Sequence, residues 1–215
     1  MPPTLNPDEL AAELASKDPE QRERAARAIH SARDWDLAVR FAGALREAVR
    51  TVPSAAAMLV LARDPDEESR HLLRQVMYSD TGKQTKLALE SPAVPLGTAA
   101  SVALSAAGDP EGRRELHHLA GSEDLATRRF LLEVIDDIDD PAALQLLRRY
   151  LSDERKAPGG APYGAVPSRR VADLAADALI HRLDLAVSFA RRPAGRYEAD
   201  QLAEIDSKVH ATIPQ

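Results

Sequence analysis

The sequence predicts an all-α protein, a right-handed α-solenoid of stacked helix pairs with a C-terminal capping helix. The first observation is composition: Ala, Leu, Arg, Asp and Glu dominate the 215 residues, whereas aromatic residues make up only 4%. Such residues favour helices, and little strand-forming material is left for a sheet. The second observation is a recurring five-residue motif: two adjacent small or apolar residues, one variable residue and a pair ending in an apolar residue. Its copies begin at residues 25, 72, 99, 131 and 175, a spacing typical of repeated helix pairs.

Helix-start signals define the elements of the N-terminal half. Segments 6–8 (Asn-Pro-Asp) and 18–20 (Asp-Pro-Glu) each combine an N-cap residue, a proline at the first helical position and an acidic first turn. They predict the two helices of the first repeat. The apolar spacing after Asp34 predicts one helix that runs through Val49, with Trp35 packed on a neighbour at its entrance. Further helices are predicted at 53–63, 67–78, 83–89 and 96–107.

The C-terminal half repeats these signals. Asp-Pro pairs at 109–110 and 140–141 each begin a helix. The predicted helices cover 110–120, 123–138, 141–152 and 168–183. In the final segment, 197–211, apolar residues at 202, 205 and 209 form one stripe, and we expect this helix to cap the last repeat. The chain then forms a single domain over 1–215, with one Gly/Pro-rich insertion at 153–167.

Composition and charge exclude several classes of function. The chain has no cysteine, which excludes disulfides, thiolate metal sites and a cysteine nucleophile. Its net charge of −6 divides into −3, 0 and −3 over residues 1–109, 110–196 and 197–215. No basic region supplies the phosphate contacts that nucleic-acid binding needs. No apolar run reaches membrane-spanning length and the first residues lack signal-peptide features, so we expect a cytoplasmic protein without membrane contact.

Two stretches carry a family resemblance. In 18–29 and 169–179, a polar or Arg-rich helix start leads into Ala-Ala-x-Ala followed by Ile or Leu. This pattern resembles the HEAT family, particularly the bacterial HEAT-like repeats of phycobilin lyase type. The resemblance implies an armadillo-like solenoid whose small alanines let neighbouring helices approach. Leucine pairs replace the alanines at 72–73 and 131–132, so the register of repeats two and three stays open.

The sequence predicts neither a metal site nor a cofactor nor a catalytic residue. The acidic cluster 136–140 lacks the ligand spacing and glycine of a calcium loop. We expect it to be a turn between helices in which Asp140 caps the following helix. The six histidines include no His-x-x-x-His pair, and no His-Glu dipeptide of the kind found in di-iron HEAT-repeat hydroxylases.

Arginine doublets recur at 113–114, 128–129, 148–149, 169–170 and 191–192. Those on second helices of repeats could offer a cationic groove to a carboxylate-rich peptide or a phosphate. Alternatively, they pair with Asp and Glu on adjacent turns. The insertion is either a ligand-gripping loop with its single aromatic residue or a tolerated insertion. The candidate partner contacts are Tyr163, Arg128, Arg129, Arg169, Arg170 and Asp173.

The sequence thus favours a non-catalytic scaffold or adaptor that binds another protein or a peptide on a concave surface. An alternative is a lyase-like enzyme or chaperone that handles a small ligand. HEAT-like DNA repair is a third class, which the negative net charge disfavours.

Overall fold

The computed structural model describes residues 5–64, 66–79, 94–158, 169–191 and 195–213. Within these ranges the regular structure consists of twelve α-helices and two 3₁₀ turns, with no β-strand. The prediction of an all-α protein is confirmed. The chain divides into two compact units, 1–115 and 116–215.

The N-terminal unit contains α1 to α7 and the beginning of α8. Their bounds are α1 Pro7–Leu14, α2 Pro19–Ala32, α3 Trp35–Arg40, α4 Ala42–Thr51, α5 Ala55–Leu61, α6 Glu67–Tyr78, α7 Leu96–Ala106 and α8 Pro110–Ala120. The helix predicted at 83–89 lies outside the described residues.

Local capping explains where the first helices begin. The side chain of Asn6 accepts a hydrogen bond from the backbone N–H of Asp8 at 3.1 Å. Asp18 accepts one from the N–H of Glu20 at 2.9 Å. Each side chain therefore satisfies an N–H that has no partner within the first turn of its helix.

The helix predicted to run through Val49 is instead bent at Phe41, which separates α3 from α4. The backbone N–H of Phe41 still donates to the Leu37 carbonyl, and its carbonyl still accepts from Leu45 N–H, both at 2.9 Å. Backbone hydrogen bonding therefore continues through the bend. Trp35, at the start of α3, is half-buried beneath the guanidinium of Arg63, which lies 4.8 Å from the centre of its ring.

Helix α5 forms the centre of the N-terminal unit, because all seven of its residues are buried. It packs against α2, α4 and α7. An apolar helix that is covered on every side is typical of a protein core. At the end of this unit, α8 approaches α7 so closely at Gly112 that a Cβ atom there would lie 2.4 Å from Cβ of Leu104.

The C-terminal unit is built around a central helix. It contains the end of α8, then α9 Leu125–Glu133, α10 Pro141–Arg148, α11 Val171–Arg182 and α12 Ala199–Thr212, with 3₁₀ turns at Ile135–Asp137 and Arg149–Ser152. Helix α11 packs against α9, α10 and α12. Its buried alanines at 172, 175 and 176 permit this close packing.

The final helix follows its predicted pattern, since Leu202, Ile205 and Val209 are its buried residues. It packs against α10 and α11. None of the helices in the described part of the chain has the length and apolar character needed to cross a membrane.

The two ends of the insertion are bonded to each other. The N–H of Ala157 donates to the Arg169 carbonyl at 2.9 Å, and the N–H of Val171 donates to the Arg155 carbonyl at 3.0 Å. Residues 159–168, including the candidate contact Tyr163, lie outside the described residues.

Candidate functional site

The predicted contact Arg128 is buried inside the C-terminal unit, with 9% of its surface exposed. It donates to Asp153 Oδ2 at 2.5 Å and to Glu123 Oε1 at 2.7 Å. Its guanidinium also lies 4.7 Å from the centre of the Tyr150 ring. Through these contacts, Arg128 holds α9 against Tyr150 and Asp153, which follow α10.

Arg170 and Asp173 form a second internal pair. Arg170 Nη2 donates to Asp173 Oδ1 and to the Tyr197 carbonyl, both at 2.7 Å, while Nη1 reaches Glu154 Oε2 at the same distance. Asp173 is fully buried and also accepts from the N–H of Tyr197 at 3.0 Å. Burial opposes ionisation of Asp173, but the bonds from Arg170 and Tyr197 outweigh it and hold the pKa of this carboxyl below its ordinary value.

The other two predicted arginines are also engaged internally. Arg129 donates to Glu133 Oε1 at 2.6 Å and to the Pro158 carbonyl. Arg169 donates to the Asp173 carbonyl at 2.6 Å and to the carboxylate of Asp177. The structure thus places all four arginines in internal hydrogen bonds, in line with the second alternative that the sequence offers. Their contact with a partner stays a prediction.

A cavity in the C-terminal unit lies elsewhere, between α10 and α12. This α10–α12 groove has a volume of about 900 Å³ and is open to solvent. Its apolar lining comes from α10, where Pro141 and Ala142 are exposed and Leu146 is half-buried. Arg148, Arg149, Asp206 and His210 supply polar groups along its length. A concave, partly apolar surface with a few polar groups is the usual form of a binding site.

An ion pair joins the two walls of the groove. Arg148 Nε donates to Asp206 Oδ1 at 2.6 Å, and Nη2 donates to Oδ2 at 2.9 Å, so the contact is bidentate. The third nitrogen of this guanidinium lies 3.0 Å from Nδ1 of His210. The Asp206 carboxylate raises the pKa of Arg148 above its ordinary value. The charge of Arg148 is therefore balanced within the unit.

The acidic group at the end of the groove is also partnered. Asp140 Oδ1 caps α10, accepting from the N–H groups of Ala142 at 2.8 Å and Ala143 at 3.2 Å. Its other oxygen lies 3.1 Å from Nε2 of His117. Burial would raise the pKa of Asp140, but the two N–H groups and His117 outweigh it and lower this pKa. The predicted capping role of Asp140 is confirmed.

Arg149 differs from these groups. It is exposed, and no hydrogen bond or ion pair joins its guanidinium to any residue that the structure describes. A second cavity of about 370 Å³, which includes Gly121 and Arg155 in its lining, shares Leu146 and Arg149 with the groove. The two cavities therefore meet at Arg149. The sequence shows the 148–149 doublet but not which arginine has an internal partner.

The described residues contain no group of three or more His, Asp or Glu side chains arranged to hold a metal ion. Comparison of the chain with protein-family models, with curated proteins and with solved structures found no match.

Proposed function

We propose that this protein is a non-catalytic scaffold or adaptor that binds another protein or a peptide, with the α10–α12 groove as the binding site. The observation that supports this most is the combination of an open groove with an apolar wall and an exposed arginine, Arg149, at one end. Apolar surface supplies affinity on burial, and a placed charge supplies orientation.

Cross-links between the two walls support the proposal, because they preform the groove. Besides the bidentate contact of Arg148 with Asp206, the side-chain N–H of Gln145 on α10 donates to the Ile213 carbonyl after α12, at 3.2 Å. A preformed site loses less conformational entropy on binding than a site that must be ordered by its ligand.

In the same proposal, the helices form a right-handed solenoid of HEAT-like repeats and the protein acts in the cytoplasm. Support for the solenoid comes from the recurring five-residue motif and from the packing of neighbouring helices, such as α1 on α2 and α11 on α12. Small alanines at the contact positions of α2 and α11 suit such stacking.

Two matched arginine substitutions test the proposed site. Ala142 lines the groove, whereas Ala211 is an exposed residue of α12 that does not. Ala142→Arg should abolish retention of a protein partner in affinity capture from host lysate, and Ala211→Arg should leave retention unchanged. Binding of the purified partner, measured by calorimetry, should follow the same order.

Equal binding by both variants would show that the groove is not the site. Tyr163→Ala then tests the insertion as the alternative contact surface. If the intact protein retains no protein partner in any lysate preparation, the scaffold proposal itself is wrong.

A further inference from the structure

We infer that the occupant of the α10–α12 groove is a peptide segment in which an apolar side chain and an Asp or Glu lie close together, with the carboxylate bound to Arg149. This inference deepens the proposed function and rests on it. The charges of the groove and its apolar lining constrain the chemistry of the partner.

The charge balance of the groove indicates an anionic group on the occupant. Arg148 is neutralised by Asp206, and Asp140 is satisfied by backbone N–H groups and His117. Arg149 thus contributes a positive charge that forms no ion pair with any described residue. Complementary charge on the partner is the usual means by which such a group directs association and sets register.

The geometry of arginine favours a carboxylate over a neutral acceptor. A guanidinium presents parallel N–H groups that match the two carboxylate oxygens, and hydrogen bonds between charged groups are shorter and stronger than neutral ones. Displacing an internal carboxylate from Arg148 would first require breaking two hydrogen bonds to Asp206. Arg149 has no such internal competitor among the described residues.

The backbone that carries Arg149 is firmly anchored. The next residue, Tyr150, is 2% exposed, and its hydroxyl donates to the Ala120 carbonyl at 2.8 Å. The Arg149 carbonyl accepts from the hydroxyl of Ser152 at 2.9 Å within the 3₁₀ turn. These bonds fix the point beside the apolar wall from which the Arg149 side chain leaves the backbone.

The spacing of residues along α10 and the turn that follows it sets the distance between the charge of Arg149 and the apolar surface. Ala142 and Leu146 are four residues apart, so they lie on the same helix face, and Arg149 follows three residues later. At about 1.5 Å of rise per residue, Leu146 and Arg149 are roughly 5 Å apart along the axis. A matching occupant carries its apolar side chain and its carboxylate within about one helical turn of each other.

Selection from a phage-displayed library of random 12-residue peptides tests this inference. The baits are the intact protein, Arg149→Glu, Ala142→Arg and Ala211→Arg, each first checked for unchanged helical circular dichroism. Peptides selected on the intact protein should be enriched in Asp or Glu next to an apolar residue. They should still bind Ala211→Arg but not Ala142→Arg, and Arg149→Glu should select Lys- or Arg-containing peptides instead.

A double-mutant cycle with one selected peptide locates the contact. Replacing its acidic residue with the amide should weaken binding to the intact protein about five- to tenfold, and should have almost no effect on Arg149→Gln. If peptides respond to Ala142→Arg but show neither acidic enrichment nor sensitivity to Arg149→Glu, the inference is wrong and the proposed function stands. If no selected peptide responds to Ala142→Arg, the inference is wrong and so is the assignment of the α10–α12 groove as the binding site.

Discussion

Replacing Gly112 with alanine should destabilise the N-terminal unit, although alanine is the better helix former. A Cβ atom at this position would lie 2.4 Å from Leu104 Cβ, and 2.7 and 2.8 Å from backbone atoms of Ser105 and Leu104. Ordinary van der Waals contact begins near 3.4 Å, so α7 and α8 would have to separate by about 1 Å. Backbone atoms cannot move aside as the tip of a flexible side chain can.

The expected cost follows from two opposing effects. Overpacking of a core typically costs about 1–3 kcal/mol, whereas Gly to Ala in a helix contributes about 1 kcal/mol in the other direction. Because this clash is against backbone atoms, the overpacking cost should lie in the upper part of its range, about 2–3 kcal/mol, which leaves a net loss of about 1–2 kcal/mol in the free energy of unfolding.

Gly43 in α4 provides the matched control, because no described atom beyond its chain neighbours and the backbone of its own helix lies within 4 Å of the Cβ position there. Gly43→Ala should raise stability by about 0.5 kcal/mol. Urea unfolding followed by circular dichroism at a helical wavelength measures both variants. If Gly112→Ala is as stable as the parent protein or more stable, the close approach of α7 and α8 at this position is refuted.

Two further predictions concern the ion pairs of the C-terminal unit. Arg128→Ala should cost about 2 kcal/mol because it removes the bonds of this buried guanidinium to Asp153 and Glu123, although Arg155 still bonds Asp153, whereas Arg149→Ala should change stability by less than about 0.5 kcal/mol; equal losses in urea unfolding would contradict this assignment. Arg155 and Arg128, together with a backbone N–H, lower the pKa of Asp153 from 3.8 to about 2. The ionised form of Asp153 therefore stabilises the fold above about pH 4, and this contribution is lost as the pH falls towards 2. The stability difference between the parent protein and Asp153→Asn should therefore shrink as the pH falls from 4 to 2. A difference that grows over this range would show that ionised Asp153 does not stabilise the fold.

Helix starts could be predicted because their signals are local. The side chains of Asn6, Asp18 and Asp140 bond to N–H groups two or three residues ahead, so the sequence alone brings donor and acceptor together. The bend at Phe41 could not be predicted, because the apolar spacing and the backbone hydrogen bonds both continue across it.

The groove could not be read from the sequence, since it depends on residues far apart in the chain. Arg148 and Arg149 are adjacent and chemically identical, and they differ because α12 brings Asp206, 58 residues later, to one of them. Arg128 likewise meets Asp153 across 25 residues. The doublets indicate that arginines matter in this unit, but tertiary packing determines which of them is available to a partner.

The bonded ends of the insertion have a consequence for how the chain can vary in length. Because Ala157 and Arg169 are hydrogen-bonded to each other, the two ends of the insertion are held side by side. Residues added between them do not alter the separation of the ends, and each doubling of loop length costs only about 0.6 kcal/mol. An epitope tag or a small folded domain could therefore be carried at this position while α11 keeps its register, which makes it the natural place to attach a label without touching either terminus.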